Sequence, residues 1–189
     1  MTLTIEAMGF HIGMVVRDAD VVCDKYQRLL GGRFETWELT KRAPVAIDPD
    51  YEDSHLRISY GRFAGTTIEI IQVLSGLGHY GRWLERNGEG VQHLGFWVPD
   101  LADATRQAIE HGAVLRQARL DANALGSVTV AGLGPSEIAS ALLPGSVHVD
   151  YGLSSVELEF IGPSSVKMLY DIFGEDVQAI VDLPPWIKQ

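Results

Sequence analysis

The sequence predicts an α+β protein made of two tandem copies of one module, a strand followed by a helix and three more strands, with a helical extension at the C-terminus. Three observations predict it. First, Phe10–Asp18 reads FHIGMVVRD and Gln92–Asp100 reads QHLGFWVPD, matching at His11 and His93, Gly13 and Gly95, Val16 and Val98, and Asp18 and Asp100 at a constant offset of 82. Self-similarity at so long an interval marks a duplicated structural unit. Second, both copies alternate with period two, as a strand covered on one face does. Third, each copy leads through an aspartate in N-cap position into a helical stretch closed by glycine, Gly31-Gly32 in the first and Gly112 in the second.

In the first strand the alternation places Phe10, Ile12, Met14 and Val16 on the apolar side and His11, Gly13 and Val15 on the other. In its copy Leu94, Phe96 and Val98 oppose His93, Gly95 and Trp97. Each histidine therefore leaves the apolar side, and the glycine two residues on keeps space open there. The helix after Asp18 sets Val22, Tyr26, Leu29 and Leu30 along one face. Arg33–Leu39 alternates as a second strand. Thr40–Ser54, with its prolines and acidic residues, is a surface loop long enough to form a lid. His55–Phe63 and Thr66–Leu74 are two strands joined at Ala64-Gly65, a hairpin signal, and complete a first module over residues 8–75.

Residues 76–90 form a connector in which Tyr80, Trp83 and Leu84 anchor a short helix. The second module, residues 91–162, repeats the order: a strand to Val98, a helix carrying Leu101, Ala104, Ala108 and Ile109, and a strand over Val114–Leu120. The Gly- and Pro-rich stretch Asp121–Gly145 follows, with a strand expected around Ser127–Val130. The closing strands are Val147–Tyr151 and Ser154–Ile161. Aligning Thr66-Thr67-Ile68-Glu69 with Ser154-Ser155-Val156-Glu157 raises the offset to 88, which implies about six extra residues in the second module. The extension, residues 163–189, holds a helix over Ser164–Phe173.

Bulk properties limit the function classes. A chain of 189 residues with 46% hydrophobic content supplies an ordinary globular core. A formal charge of -10 argues against an extended nucleic-acid or anionic-membrane surface, since both require clustered Lys and Arg. The single cysteine, Cys23, excludes an internal disulfide and fits a reducing compartment; its place within a helix suits a buried structural thiol. MTLTIEAMGF has neither a basic n-region nor a long apolar run, so neither a signal peptide nor a membrane span is expected, and the reading is of a cytoplasmic protein.

Each module contributes one histidine early and one glutamate late, off the apolar side of its strand. His11, Glu69, His93 and Glu157 make a set of two imidazoles and two carboxylates able to converge on one divalent ion. Such donors suit Zn, Ni, Co, Mn or Fe(II). A lone inward histidine is ordinarily a hydrogen-bonded core residue, but four residues at duplicated positions point to a ligand set. Glu159 lies on the same side as Glu157; internal alignment favours Glu157 and leaves Glu159 open. His55, His79, His111 and His148 have no repeated partner and are assigned surface or loop roles. Arg57 and Arg62 are weighed as contacts for a substrate carboxylate or phosphate against ordinary salt bridges. Trp97 is either a cavity wall or core filling.

With FHIGMVV, IEIIQVL, RWLERNGEGVQHLGFWVPDL and VELEF in view, the chain resembles the vicinal oxygen chelate superfamily, the glyoxalase, bleomycin-resistance and extradiol dioxygenase group, from His11 to about Ile161. It is most similar to methylmalonyl-CoA epimerases. The resemblance implies a glyoxalase-like fold, paired βαβββ modules forming a cupped mixed sheet around a metal, and a homodimer. It places the family's ligands on His11, Glu69, His93 and Glu157. The implied chemistry is a metal-dependent isomerase or lyase that chelates a small acyl-CoA or 2-oxo substrate and stabilises an enolate, with Glu157, and Glu69 or Glu159 in its stead, moving a proton at carbon. Alternatives are an Fe(II) ring-cleaving dioxygenase and a metal-free small-molecule binding or resistance protein.

Overall fold

The structure, a computed structural model, describes residues 5–44, 46–125, 128–152 and 155–187. Strand β1 (Met8–Val16) leads into helix α1 (Ala19–Leu30), and β2 (Phe34–Lys41), β3 (Ser54–Phe63) and β4 (Thr66–Ser75) follow. Helix α2 (His79–Asn87) connects to β5 (Gly90–Trp97), α3 (Leu101–Glu110) and β6 (Val114–Gln117). Two short helices, α4 (Ala122–Leu125) and α5 (Pro135–Ala141), precede β7 (Ser146–Asp150) and β8 (Glu157–Ile161); α6 (Ser165–Phe173) and α7 (Val177–Ile180) form the extension. The repeated aspartates act alike. Asp18 accepts from the Val21 amide at 3.0 Å and Asp100 from the Asp103 amide at 2.9 Å, so each satisfies one of the donors that a helix start leaves unpaired.

All eight strands join one sheet, in the order β2-β3-β4-β1-β5-β8-β7-β6, curled into a half-barrel. The order is symmetric about the antiparallel β1–β5 pair, and on either side of it the first strand of each half runs parallel to the last, β1 with β4 and β5 with β8. That closure sets the early histidine and the late glutamate of one half on adjacent strands. Both helical connections of the repeat lie on the outer face: α1 covers Val16, Ile68 and Ile70, while α3 and α5 cover Val98, Val147, Val149 and Phe160. Leu29 and Leu30, expected on the buried side of α1, remain exposed.

The two central strands each carry one irregularity, again at symmetric places. Pairing steps from Gly9 to His11 on β1 while β5 advances by one residue, and from His93 to Val91 on β5 while β1 advances by one. Phe10 and Gln92 are therefore the extra residues of two β-bulges. A bulge leaves its extra residue unpaired and bends the strand there, which interrupts the alternation, and here Phe10 lies 4.4 Å from the His11 ring, centroid to centroid, edge to face. This corrects the expectation that Phe10 shares the apolar row of Ile12 and Met14: strict alternation fails at the one position where the strand is bulged.

The inner face of the first half is covered by the extension. Leu169, Phe173, Val177 and Ile180 are buried against Leu56, Ile58, Tyr60 and Trp97, each such side chain contributing about 1.5–3 kcal/mol relative to exposure. Thr67 Oγ1 donates to the Ile180 carbonyl at 2.7 Å, and Arg62 holds both Asp182 oxygens at 2.7 and 2.6 Å. Trp97 is core filling, fully buried and stacked on Phe10 at 4.8 Å. Arg57 pairs with Glu38 and Asp20, so both arginines weighed as substrate contacts form salt bridges within the chain.

The loop expected as a lid begins after Lys41 and is tied at its base, Asp53 accepting from Arg42 and from the Ala43 amide. Across the sheet, the Val130 amide bonds to the Ala46 carbonyl at 2.9 Å, so this loop and the second-half insertion meet. The strand expected around Ser127–Val130 does not form: Ser127 lies outside the described residues, and Val130–Gly132 makes one 3-10 turn. Ser154 of the closing strand also lies outside them; the strand itself starts at Glu157. Among the described residues no helix is long and apolar enough to cross a membrane.

Candidate metal centre

Gly13 and Gly95 make the centre possible. Across the β1–β5 pair, His11 faces Gly95 and Gly13 faces His93, so each histidine ring lies over the glycine of the other copy. A methyl group on Gly95 would stand 2.5–2.8 Å from three atoms of the His11 ring, and one on Gly13 would meet the His93 ring more closely still. The repeated His-x-Gly is thus reciprocal. Each copy supplies one imidazole and the floor on which the other rests.

The outer pair of strands supplies the carboxylates. Gly13 pairs with Glu69 on β4, and Gly95 pairs with Glu159 on β8. The four functional atoms converge: His11 Nε2 lies 2.8 Å from His93 Nε2, 3.2 Å from Glu69 Oε2 and 3.1 Å from Glu159 Oε2, and His93 Nε2 lies 3.0 and 3.4 Å from the same two oxygens. All four residues are buried. Donors sharing a first-row ion at bond lengths of about 2.0–2.2 Å stand roughly 3 Å apart, which these separations match. One proton can satisfy a single contact among four lone-pair donors, whereas a dication satisfies all of them, so the residues present fit a divalent metal. Gln92 prepares one of them. Its Oε1 stands 2.6 Å from His93 Nδ1 and accepts that proton, leaving the Nε2 lone pair facing inward.

The electrostatics follow from burial and from the carboxylates. Burial opposes a charged imidazole at His11, but Glu159 and Glu69 outweigh it and lift the pKa to about 9. At His93 burial prevails and the pKa is lowered. Burial would raise Glu69, yet His11 and His93 bring it down to about 2. Glu159 is held well below the usual carboxylate range, where His148 and His11 overcome its burial.

Glu157, expected as the fourth member of the set, is elsewhere. It pairs in register with His93, two residues before Gly95, and so points to the same side of β8 as Glu159 but toward the start of the strand. Its spatial counterpart in the first half is Thr67, which pairs with His11. The last-strand offset between halves is therefore 90, from Glu69 to Glu159, and the second half carries eight extra residues rather than six. Likeness between TTIE and SSVE aligned the letters two positions out of spatial register.

Glu157 instead meets two histidines assigned to surface or loop roles. Its Oε2 lies 2.8 Å from His79 Nε2, 3.5 Å from His148 Nδ1 and 2.8 Å from Gln92 Nε2. His79 and His148 are both buried, a correction to that assignment; His55 and His111 are on the surface as expected. Burial lowers the His79 pKa to about 4 despite Glu157. A usable signal existed for His148, which alternates with Val147 and Val149 in a strand. Helix α2 lies in the stretch read as a connector outside the repeat, and nothing in the repeat marked His79.

A cavity of about 450 Å³ opens onto the quartet, with Glu69, Glu159, Tyr60 and Tyr80 at its inner end and Lys41 and Arg119 among its polar walls. Glu157 is not in its lining; it borders a separate cleft of about 180 Å³. Burial lowers the pKa of Lys41 although Glu159 and Glu69 pull the other way. Its ammonium lies over the Tyr80 ring and donates to the Tyr80 hydroxyl at 3.3 Å. Cys23 is buried in α1, away from this chemistry.

Comparison with known proteins agrees with this architecture. The model of the Glyoxalase/Bleomycin resistance protein/Dioxygenase superfamily matches residues 10–131. Among solved structures, the methylmalonyl-CoA epimerase of Mycobacterium tuberculosis aligns with 86% of this chain and 92% of its own at 20% identity and a TM-score of 0.54. A variant of the Streptomyces coelicolor methylmalonyl-CoA epimerase, solved with 2-nitronate-propionyl-CoA, aligns with 84% and 95% at 15% identity and a TM-score of 0.51. A 4-hydroxymandelate synthase variant from Streptomyces coelicolor aligns at 14% identity and a TM-score of 0.57, covering 82% of this chain and 48% of the synthase. No curated protein matches by sequence.

Proposed function

Because the chain belongs to the Glyoxalase/Bleomycin resistance protein/Dioxygenase superfamily, we propose that it is a metal-dependent isomerase or lyase acting on a small acyl-CoA or 2-oxo compound, with His11, Glu69, His93 and Glu159 as the ligand set. One observation carries the reading: two imidazole nitrogens and two carboxylate oxygens from four strands, all buried, with each nitrogen 2.8–3.4 Å from the other three atoms. A divalent ion, when bound, supplies electrostatic stabilisation of negative charge developing on substrate oxygens.

The residues around it divide the remaining work. Glu159 and Glu69 are the carboxylates that both belong to the quartet and line the cavity, so proton movement at a substrate carbon falls to them and not to Glu157. Proton transfer by a placed base is worth about 10²–10⁴ in rate. Lys41 and Arg119 give an otherwise acidic chain a local cationic wall, suited to a substrate carboxylate or phosphate. Tyr60 and Tyr80, whose pKa values burial pushes far upward, stay protonated at the inner end of the cavity, the Tyr60 hydroxyl bonded to Glu69 and the Tyr80 hydroxyl 3.2 Å from His148 Nε2. The 2-nitronate-propionyl-CoA held by the Streptomyces coelicolor epimerase supports the acyl-CoA member of the substrate class.

The test is solvent deuterium exchange at the carbon next to the carbonyl, followed by mass spectrometry over a panel of acyl-CoA and 2-oxo compounds, with metal content measured on the same preparation. Exchange is expected in the metal-loaded chain, lost with His93→Ala together with the metal, and reduced about 10²–10⁴-fold in Glu159→Gln or Glu69→Gln. Exchange that survives His93→Ala refutes the proposal, and oxygen uptake in place of exchange assigns the dioxygenase alternative.

A further inference from the structure

The two halves have diverged most sharply around the second histidine group. The symmetric sheet relates Thr67 to Glu157, which pair with His11 and His93. It relates Tyr60 to His148, which pair with Glu69 and Glu159. It relates Phe10 to Gln92, the extra residues of the two bulges. In the first half two of these positions form an aromatic wall, Phe10 stacked on Tyr60 at 5.9 Å, and the third, Thr67, holds the extension through the Ile180 carbonyl. In the second half the three positions hold Glu157, His148 and Gln92, all buried, and helix α2 adds His79. Four polar side chains buried together need partners.

They leave one need unmet. His148 Nδ1 is buried without a hydrogen-bond partner and stands 3.5 Å from Glu157 Oε2. From the convergence of His148 Nδ1, His79 Nε2 and Glu157 Oε2, we infer a second metal site in this chain, a two-histidine, one-carboxylate site for a divalent first-row ion, beside the His11 quartet and distinct from it. One ligand atom from each of the three residues lies within 4.8 Å of the other two, and two imidazoles with one carboxylate form an open three-ligand set of the kind that Zn or Fe(II) accepts.

Partners of the three ligands fit the same assignment. Metal-bound imidazoles ordinarily give their other N–H to a carboxylate or another acceptor. His148 Nε2 lies 3.3 Å from Glu159 Oε1, and His79 Nδ1 lies 3.4 Å from the Tyr51 hydroxyl. Glu159 thus turns Oε2 to the quartet and Oε1 to a ligand of the second site. Gln92 makes the other link, bonded to His93 through Oε1 and to Glu157 through Nε2. Entry is independent of the large cavity, because Glu157 borders the separate cleft; Arg116 at that cleft is neutralised by Asp150 at 2.6 Å.

The experiment counts ions. The full chain is stripped with chelator, reloaded with Co²⁺, desalted, and measured by native mass spectrometry and visible absorption, with circular dichroism to check folding. Two ions are expected in the natural sequence, one in His79→Ala and in the nearly isosteric Glu157→Gln, and one in His11→Ala, with different Co²⁺ spectra remaining after removal of either site. A single ion that is lost in His11→Ala and kept in His79→Ala overturns the second site while leaving the proposed function standing. A single ion kept in His11→Ala and lost in His79→Ala supports the second site and removes the proposed function. Two ions that persist in both His79→Ala and Glu157→Gln, or no ion at all, overturn the inference.

Discussion

Gly95→Ala is the sharpest test of how the centre is built, because it adds one methyl group and removes no ligand. The added carbon would sit 2.5 Å from the nearest His11 ring atom, where ordinary contact begins at 3.4 Å, so the imidazole must retreat by roughly 0.9 Å. Its surroundings resist that, since the ring is enclosed by Phe10 at 4.4 Å and Tyr60 at 5.4 Å. Two costs follow. Overpacking of a well-filled interior is worth about 1–3 kcal/mol, which for a domain of this size lowers the melting temperature by roughly 2–12 °C. A ligand displaced by 0.9 Å also misses the ±0.2 Å within which metal bonds are made. The affinity loss should reach at least the 10–100-fold that follows removal of an outer-shell partner. Competition against a chromophoric chelator measures the affinity and a thermal scan the stability. The control is Gly9→Ala, in the facing strand and with open space around the added carbon, which should change neither. Equal behaviour of the two variants would refute the claim that each copy's glycine seats the other copy's histidine.

Four further outcomes are expected. With its pKa lifted to about 9 from 6.5, His11 carries a proton that an incoming cation must displace. Uptake near pH 7.5 should release about one proton, with apparent affinity climbing about tenfold per pH unit until pH 9; pH-independent loading would contradict it. The same shift sets a stability window: the contribution, on the order of 3 kcal/mol, is fully present below pH 6.5 and lost as pH rises through 9. Chelator-treated protein should lose melting temperature across that range. Thr67→Val strands the Ile180 carbonyl and should cost about 1–3 kcal/mol in denaturant unfolding, with metal stoichiometry unchanged. Lys41→Met removes the buried ammonium of the cavity wall and should raise KM for an anionic substrate at least tenfold without altering the metal count, by elemental analysis.

The first strand of each half told most about the centre. His11 and His93 were legible because duplication repeats them with their glycines, and a strand's period of two fixes which side each takes. Glu69 was legible as a charge set among β-branched residues. Phe10 was misread because a β-bulge leaves no mark in the letters: FHIGMVV alternates perfectly, and only the pairing with β5 reveals that one residue is extra. The extension was legible as a helix but not as the cover of the inner face, since that depends on Thr67, Arg62 and Tyr60 on distant strands.

The exchange of Glu157 for Glu159 has a physical cause that reaches beyond this position. Sequence likeness follows side-chain chemistry, and after duplication the two halves kept chemistry and geometry separately. Glu69 and Glu159 share the geometry, each opposite the glycine on which a histidine rests. Glu157 shares with Glu69 only the side-chain chemistry of the three residues before it, TTI in one half and SSV in the other. In the second half that glutamate stands where the first half has a threonine used to dock the extension. One half therefore turned its spare inner positions toward holding the tail, the other toward a buried cluster of two histidines, a glutamine and a glutamate. The quartet stayed symmetric because each member is constrained by three others across the central pair, whereas Thr67 and Glu157 face only their own half and were free to part.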